Sequence, residues 1–150
     1  MDLYASLPLA ELLAIIRGRS DCRVLPPAGQ PTVRAGHHLP DDLLLFYALC
    51  GGITLFPHIA FPLITLPAAR VSVANLTLLA RDEVTIVEQY NLKPDEPSWA
   101  WYTLTVDGNG DYFVIDLSPA KLGRCCAAFH ETYPARGETN VLALTFTDFL

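Results

Sequence analysis

No apolar run in this 150-residue chain approaches the roughly 20 residues that a bilayer-spanning helix requires. The start, Met1-Asp2-Leu3-Tyr4, lacks the basic stretch of a secretory signal, and the apolar stripe that follows is interrupted by Glu11. A cytoplasmic location with no membrane contact is therefore expected. The four cysteines, Cys22, Cys50, Cys125 and Cys126, form no C-x-x-C pair, so neither zinc nor a disulfide framework is expected and the thiols read as free. Basic side chains are few, ten Lys and Arg against sixteen Asp and Glu, which gives a net charge of −6. An excess of that sign repels phosphate backbones and argues against direct nucleic-acid binding. The patterns G-x-G-x-x-G, G-x-x-x-x-G-K-[ST] and G-x-S-x-G are also missing, and with them the usual phosphate-binding and serine-hydrolase signatures.

What the chain has is enough apolar sequence, 51%, for one ordinary folded core, so residues 1–150 read as a single domain. Its acidity is unevenly spread. Residues 1–75 balance, as do residues 117–150. The segment 82–116 holds Asp82, Glu83, Glu88, Asp95, Glu96, Asp107, Asp111 and Asp116 against Lys93 alone. Such a stretch either solvates the fold or steers a basic partner towards it.

Local patterns indicate an α+β protein. Ser6 suits a helix N-cap and Pro8 the first turn, and Leu9, Leu12, Leu13 and Ile16 recur at helical spacing up to about Arg19. Residues 23–38, with Pro26-Pro27, Gly29, Pro31 and Gly36, read as a loop. Leu39-Pro40-Asp41-Asp42 opens a second helix with Pro40 at its first position. Leu43, Phe46, Tyr47 and Cys50 form its buried stripe, and Gly51-Gly52 is expected to close it in a left-handed C-cap. Strand-like runs follow at Ile53–Phe56 and Phe61–Leu66; Pro57, Pro62 and Pro67 suggest that one of them is an edge strand. Val71–Leu79 is open between helix and irregular chain, and Val84–Val87 reads as a short strand. Leu122–His130 suggests another strand, residues 132–140 a loop, and Thr145-Phe146-Thr147-Asp148 a helix start that reaches Leu150 within one turn.

The clearest local signal is Trp99–Leu117. Asn109-Gly110 is a favoured two-residue hairpin loop, with both residues at positive φ. It would pair Val106 with Phe113, Leu104 with Ile115 and Tyr102 with Leu117. One face would then be Tyr102, Leu104, Val106, Phe113, Ile115 and Leu117, all apolar or aromatic. The other would carry Trp99, Trp101, Thr103, Thr105, Tyr112, Val114 and Asp116. Trp and Tyr anchor many interfaces. Trp99, Trp101, Thr103, Tyr112 and Asp116, together with Asp82, Glu83, Glu88, Asp95 and Glu96, are thus the candidate partner-binding residues. The same face could equally be a second small core under the N-terminal helices; on the sequence both readings stand.

Other chemistry is weaker. Asp107-Gly-Asn-Gly-Asp111 begins like a calcium loop but has Tyr112 where the sixth-position glycine belongs and Ser118 where the bidentate glutamate belongs. His37-His38 has no partner at ligand spacing and reads as a solvated pair. His130 near Cys125 and Cys126 suggests a Cys/His nucleophile pair, without an elbow or oxyanion motif beside it. No catalytic residue, metal site or cofactor is assigned.

Four stretches, in order, resemble the SUKH superfamily, which includes the yeast cell-wall assembly regulator and many bacterial toxin-immunity proteins. They are Leu39-Pro40-Asp41-Asp42 with Phe46 and Gly51-Gly52; Trp99–Asp107 with Gly108-Asn109-Gly110-Asp111 and Tyr112–Leu117; Gly123-Arg124 with Phe129-His130-Glu131; and Phe146-Thr147-Asp148-Phe149-Leu150. The resemblance runs over roughly residues 8–150 and is poor at 68–98. It implies helices packed on a mostly antiparallel sheet, no catalysis, and an immunity protein that binds and neutralises a cognate protein toxin, often a nuclease or deaminase. The rivals are a regulatory interaction module without a toxin partner and a small Cys/His hydrolase.

Overall fold

The computed structural model describes residues 7–134 and 140–150. The first apolar stripe folds as α1 (Leu9–Arg17), burying Leu9, Leu13 and Ile16, with Pro8 in the cap position. Ser6, the expected cap, lies outside the described residues. The expected loop that follows begins instead with β1 (Cys22–Leu25), whose side chains alternate between half-buried and exposed. Four residues directly before Pro26-Pro27 are too short a run to register as a strand without their partner. That partner is β2 (Gly52–Leu55), with Cys22 opposite Leu55 and Leu25 opposite Gly52.

The helix α2 (Asp41–Leu49) buries Leu43, Phe46 and Tyr47, and Cys50 just beyond it is also buried. Pro40 is its cap rather than its first residue. Its end differs from expectation too: Cys50 is extended, so the helix has no left-handed cap. Gly51 is needed for another reason. A Cβ there would lie 2.2 Å from the Pro26 carbonyl oxygen.

Five more strands, β3 (Leu63–Thr65), β4 (Trp101–Val106), β5 (Tyr112–Asp116), β6 (Cys125–Ala128) and β7 (Asn140–Ala143), complete a seven-stranded antiparallel sheet in sequence order. Both β2 and β3 are therefore interior strands, contrary to the edge expectation. Pro57, Pro62 and Pro67 fall outside the paired residues and remove no donor from the ladder. Between β3 and β4 come α3 (Ala74–Leu79) and α4 (Glu83–Tyr90). The expected strand at Val84–Val87 lies inside α4. The Asp82 carboxylate decides this: it accepts from the Thr85 amide at 2.9 Å and the Thr85 hydroxyl at 2.8 Å, and that cap outweighs the β preference of four β-branched residues. The final helix, α5 (Phe146–Phe149), is capped as expected, by Thr145 Oγ1 accepting from Asp148 N at 3.1 Å.

Beyond its tip the β4–β5 hairpin keeps its expected faces by an unexpected route; at the tip Val106 shares its face with Tyr112 and not, as expected, with Phe113. Val106 lies opposite Tyr112, and the Asp107 amide donates to Asp111 O at 3.0 Å, so Gly108-Asn109-Gly110 is a three-residue loop with only Gly110 among them at positive φ. By itself that loop would scatter apolar residues over both faces. A bulge at Leu104, between Thr103 and Thr105, adds a residue to β4 and restores the phase. Tyr102 then faces Ile115, Thr103 faces Val114 and Trp101 faces Asp116.

The sheet buries both faces. On one, Tyr102, Leu104, Ile115 and Leu117 meet α1, α2 and α5 in the main core, where Phe46 and Phe146 pack edge-to-face at 4.9 Å. Each such side chain contributes about 1.5–3 kcal/mol by leaving water. On the other, Val114, Cys126 and Ala128 lie under Ala74 and Leu78 of α3.

Gly51→Ala is expected to cost about 3 kcal/mol, because the chain crossing at Pro26 must move. Gly110→Val should cost about 1 kcal/mol, for positive φ alone, since an added Cβ there meets nothing within 4 Å. Chemical denaturation measures both; a Gly51→Ala midpoint equal to wild type would refute the close crossing.

Candidate protein-binding surface

The structure divides the candidate residues into an inner and an outer set. Trp99 is not on the strand face. It lies in the 3₁₀ turn Pro97–Ala100, only 5% exposed, and joins the main core. Its Nε1 donates to Lys93 O at 2.9 Å, and the Arg34 guanidinium covers the ring at 5.3 Å while pairing with Glu83 at 2.9 Å. Thr103 is fully buried and hydrogen-bonded to Ser72 through both its backbone and its hydroxyl. Asp116 is 1% exposed; its carboxylate accepts from Trp101 Nε1 at 3.2 Å, Ser118 N at 2.9 Å and Arg124 at 3.4 Å. Trp101 is half-buried against the second cluster, whereas Tyr112, expected on the same face, is half-buried against the main core opposite Val106. This face is thus a second core, as one reading of the sequence had it. Its roof, however, is α3 and Tyr133 rather than the N-terminal helices. Tyr133 is tied down by its hydroxyl to Asn75 Oδ1, and Asn75 Nδ2 donates to Ser98 Oγ at 3.2 Å.

The outer set is different. Asp82, Glu83, Glu88 and Asp95 are exposed and Glu96 partly so, along α4 and the turn after it. Of these, Asp82 caps α4 and Glu83 holds Arg34. The Thr85 bonds hold the Asp82 carboxyl below the usual carboxylate range. The outer side of α4 also exposes Val84, at 67%, and Tyr90 is exposed at the end of the helix, one turn beyond the buried Ile86. The sequence reading missed both, because a strand would not have set Val84 beside Glu88. The signal available was Asp82 three residues ahead of Thr85, an N-cap spacing that puts Val84 and Glu88 one helical turn apart.

The remaining acidic residues sit at the hairpin tip. Asp107 accepts from the amides of Asn109 and Asp111 at 2.8 and 3.0 Å. Burial pushes the Asp111 carboxyl up, but the amide of His130, at 3.0 Å, and its ring Nδ1, at 2.6 Å, outweigh it and the group ends below its ordinary value. One oxygen of each of these carboxylates, Oδ1, is engaged by these N–H groups. Among the described residues, no group of three or more His, Cys, Asp and Glu side chains converges as a metal site would require, and no helix is long and apolar enough to cross a membrane. His37 is not simply solvated; its Nδ1 meets the Tyr102 hydroxyl at 2.8 Å.

The hairpin, α2 with its glycines, and α5 all lie within residues 34–150, and those residues match the SMI1 / KNR4 family (SUKH-1) model. The chain belongs to the SMI1/KNR4 (SUKH-1) family. It is also similar to a Bacillus subtilis (strain 168) protein named immunity protein YokJ, at 32% identity over 139 residues, which is 93% of this chain and 78% of that one. No solved structure matches. Within the SUKH-1 match lie β2 to β7 and α2 to α5, whereas α1 and β1 precede it.

The thiols of this SUKH-1 domain are poorly placed for nucleophilic work. Cys50, Cys125 and Cys126 are buried, and burial pushes all three thiols up, away from the thiolate. His130 is on the surface with Asp111, whereas Cys125 and Cys126 point into the two cores. Under native conditions, iodoacetamide should modify Cys22 alone, and the other three only on unfolding; mass spectrometry reads this directly. Rapid native labelling of Cys125 or Cys126 would contradict the burial.

Proposed function

We propose that this chain is an immunity-type protein that binds a cognate protein toxin and masks its working surface. The observation that carries the reading is the 32% identity, over 93% of this chain, to a protein named as an immunity protein. The outward acidic residues of α4 and the following turn support it physically. Glu88 and Asp95 face solvent, so they are available to attract Lys and Arg on a partner. Val84, one turn before Glu88, gives the same side of α4 apolar area to bury. A toxin that handles nucleic acid, such as a nuclease or deaminase, carries the basic surface that such a shoulder fits, and occupying it would exclude the substrate phosphates. The reading needs no catalytic step and no cofactor. Free thiols are consistent with a cytoplasmic site of action. A regulatory module without a toxin partner would use the same shoulder; a gene for a toxin beside this one distinguishes the two.

The test uses the protein encoded by that neighbouring gene, purified in an inactive form. Co-expression of the wild-type chain should rescue growth of cells making the active toxin. Replacing Glu88, Asp95 and Glu96 together by Lys should slow association about tenfold or more at low salt and flatten its salt dependence, with dissociation little changed. Association that is unaffected by the triple reversal would remove the acidic shoulder from the interface.

A further inference from the structure

Glu83, the first residue of α4, and the ring of Trp99 form a place on the shoulder that takes a guanidinium. In the free chain that guanidinium is its own. Arg34 Nη2 donates to Glu83 Oε2 at 2.9 Å, and Arg34 Cζ lies 5.3 Å from the Trp99 ring centroid. The carboxylate supplies a counter-charge and the ring face attracts a flat cation, a pair of contacts that suits arginine better than lysine.

The two walls of this site are fixed, whereas its occupant is held loosely. Trp99 is buried and its Nε1 donates to Lys93 O at 2.9 Å; Glu83 belongs to a helix capped by Asp82. Arg34 reaches them by one hydrogen bond and one ring contact. The Arg34 and Glu83 side chains are 36% and 49% exposed, so water screens their attraction. The Arg34 backbone is anchored by other means. Its amide donates to the Tyr102 hydroxyl at 3.0 Å, its carbonyl accepts from His37 N at 3.0 Å, and the preceding Val33 packs on the main core. The side chain can therefore swing away while the chain that carries it stays in place.

We propose that Arg34 is an internal competitor for a site that an arginine of the protein partner takes, between Glu83 and Trp99; this rests on the immunity reading above. The direction of exchange follows from charge. A basic partner drawn to α4 meets Arg34 as a like charge beside the acidic residues it is approaching. Displacing Arg34 relieves that repulsion, and the incoming guanidinium makes the same two contacts. Docking also excludes water from them, which strengthens both relative to the free chain. Arg34 thus acts as a brake on docking, and the site behind it selects a partner that presents arginine at that point.

The experiment measures affinity and melting temperature for wild type, Arg34→Ala, Arg34→Gln, Arg81→Ala and the double variant Arg34→Ala/Glu83→Gln, with the inactive neighbour-encoded toxin as ligand. Arg81 is exposed two residues before Glu83, so its loss removes the same charge without emptying the site. Arg34→Ala should melt cooperatively within about 5 °C of wild type, because an exposed pair contributes little. It should bind the toxin about fivefold tighter or more, a gain that persists at about 0.5 M salt, where exposed charges are screened. Arg34→Gln should share the gain in part, Arg81→Ala should lose its smaller gain in salt, and adding Glu83→Gln should remove most of the gain of Arg34→Ala. Equal effects of Arg34→Ala and Arg81→Ala, or binding by Arg34→Ala no tighter than wild type, would overturn the exchange and leave the immunity reading standing. Loss of cooperative melting in Arg34→Ala, with wild-type affinity in Arg34→Gln, would make Arg34 a clamp of the core and overturn it too. Failure of the wild-type chain to bind would overturn the immunity reading, and the exchange with it.

Discussion

A carboxylate taken out of water must be met by donors, and Asp116, at 1% exposure, sits where much of the sheet's centre is fixed by meeting it. Trp101 Nε1 reaches it from β4, Ser118 N from the turn after β5, and Arg124 from the approach to β6. Its backbone closes the same corner, with Asp116 N donating to Arg124 O at 2.8 Å and Gly123 N to Asp116 O at 2.9 Å. Trp101 is thereby held against Val114, Cys126 and Ala128, and α3 can pack over them. The second face of the sheet is closed by this arrangement, and recognition is left to elements that stand outside it.

That closure explains why the sequence misleads at this point. Two tryptophans, threonines and an aspartate on alternating positions satisfy the pattern of an exposed aromatic–acidic face and that of a second core equally well. The alternation itself was legible: Tyr102, Leu104, Ile115 and Leu117 do line the main core. The register was not, because a three-residue loop and a bulge at Leu104 cancel in parity, so beyond the bulge the faces come out as expected from pairings that differ, while at the tip Tyr112 takes the place opposite Val106 expected of Phe113. α2 and α5 could be read because acidic residues or a cap mark their starts and apolar stripes mark their buried sides. β1 and β7 could not: each has four residues, and each acquires its identity from a neighbouring strand. In α4 the β-branched residues outvoted the one signal that mattered, the cap at Asp82.

The acidic segment was correctly located in the sequence, but it does not act as one patch. Asp116 is internal, Asp107 and Asp111 shape the hairpin tip, Asp82 caps a helix and Glu83 covers Trp99 by way of Arg34. Glu88 and Asp95 remain outward, Glu88 one turn after Val84. A net charge of −6 is therefore a poor guide to recognition until the carboxylates with structural duties are separated from the rest. A SUKH-1 domain built this way has a sheet covered on both faces.

The most direct measurement of that division is carboxylate footprinting by mass spectrometry, comparing the free chain with its complex with the neighbour-encoded toxin. Amidation should label Glu88, Asp95 and Glu96 in the free chain and lose them in the complex, while Asp116 stays unlabelled in both. Full labelling of Glu88 and Asp95 in the complex, with shielding appearing instead at Asp41 and Asp148 beside α2 and α5, would contradict it.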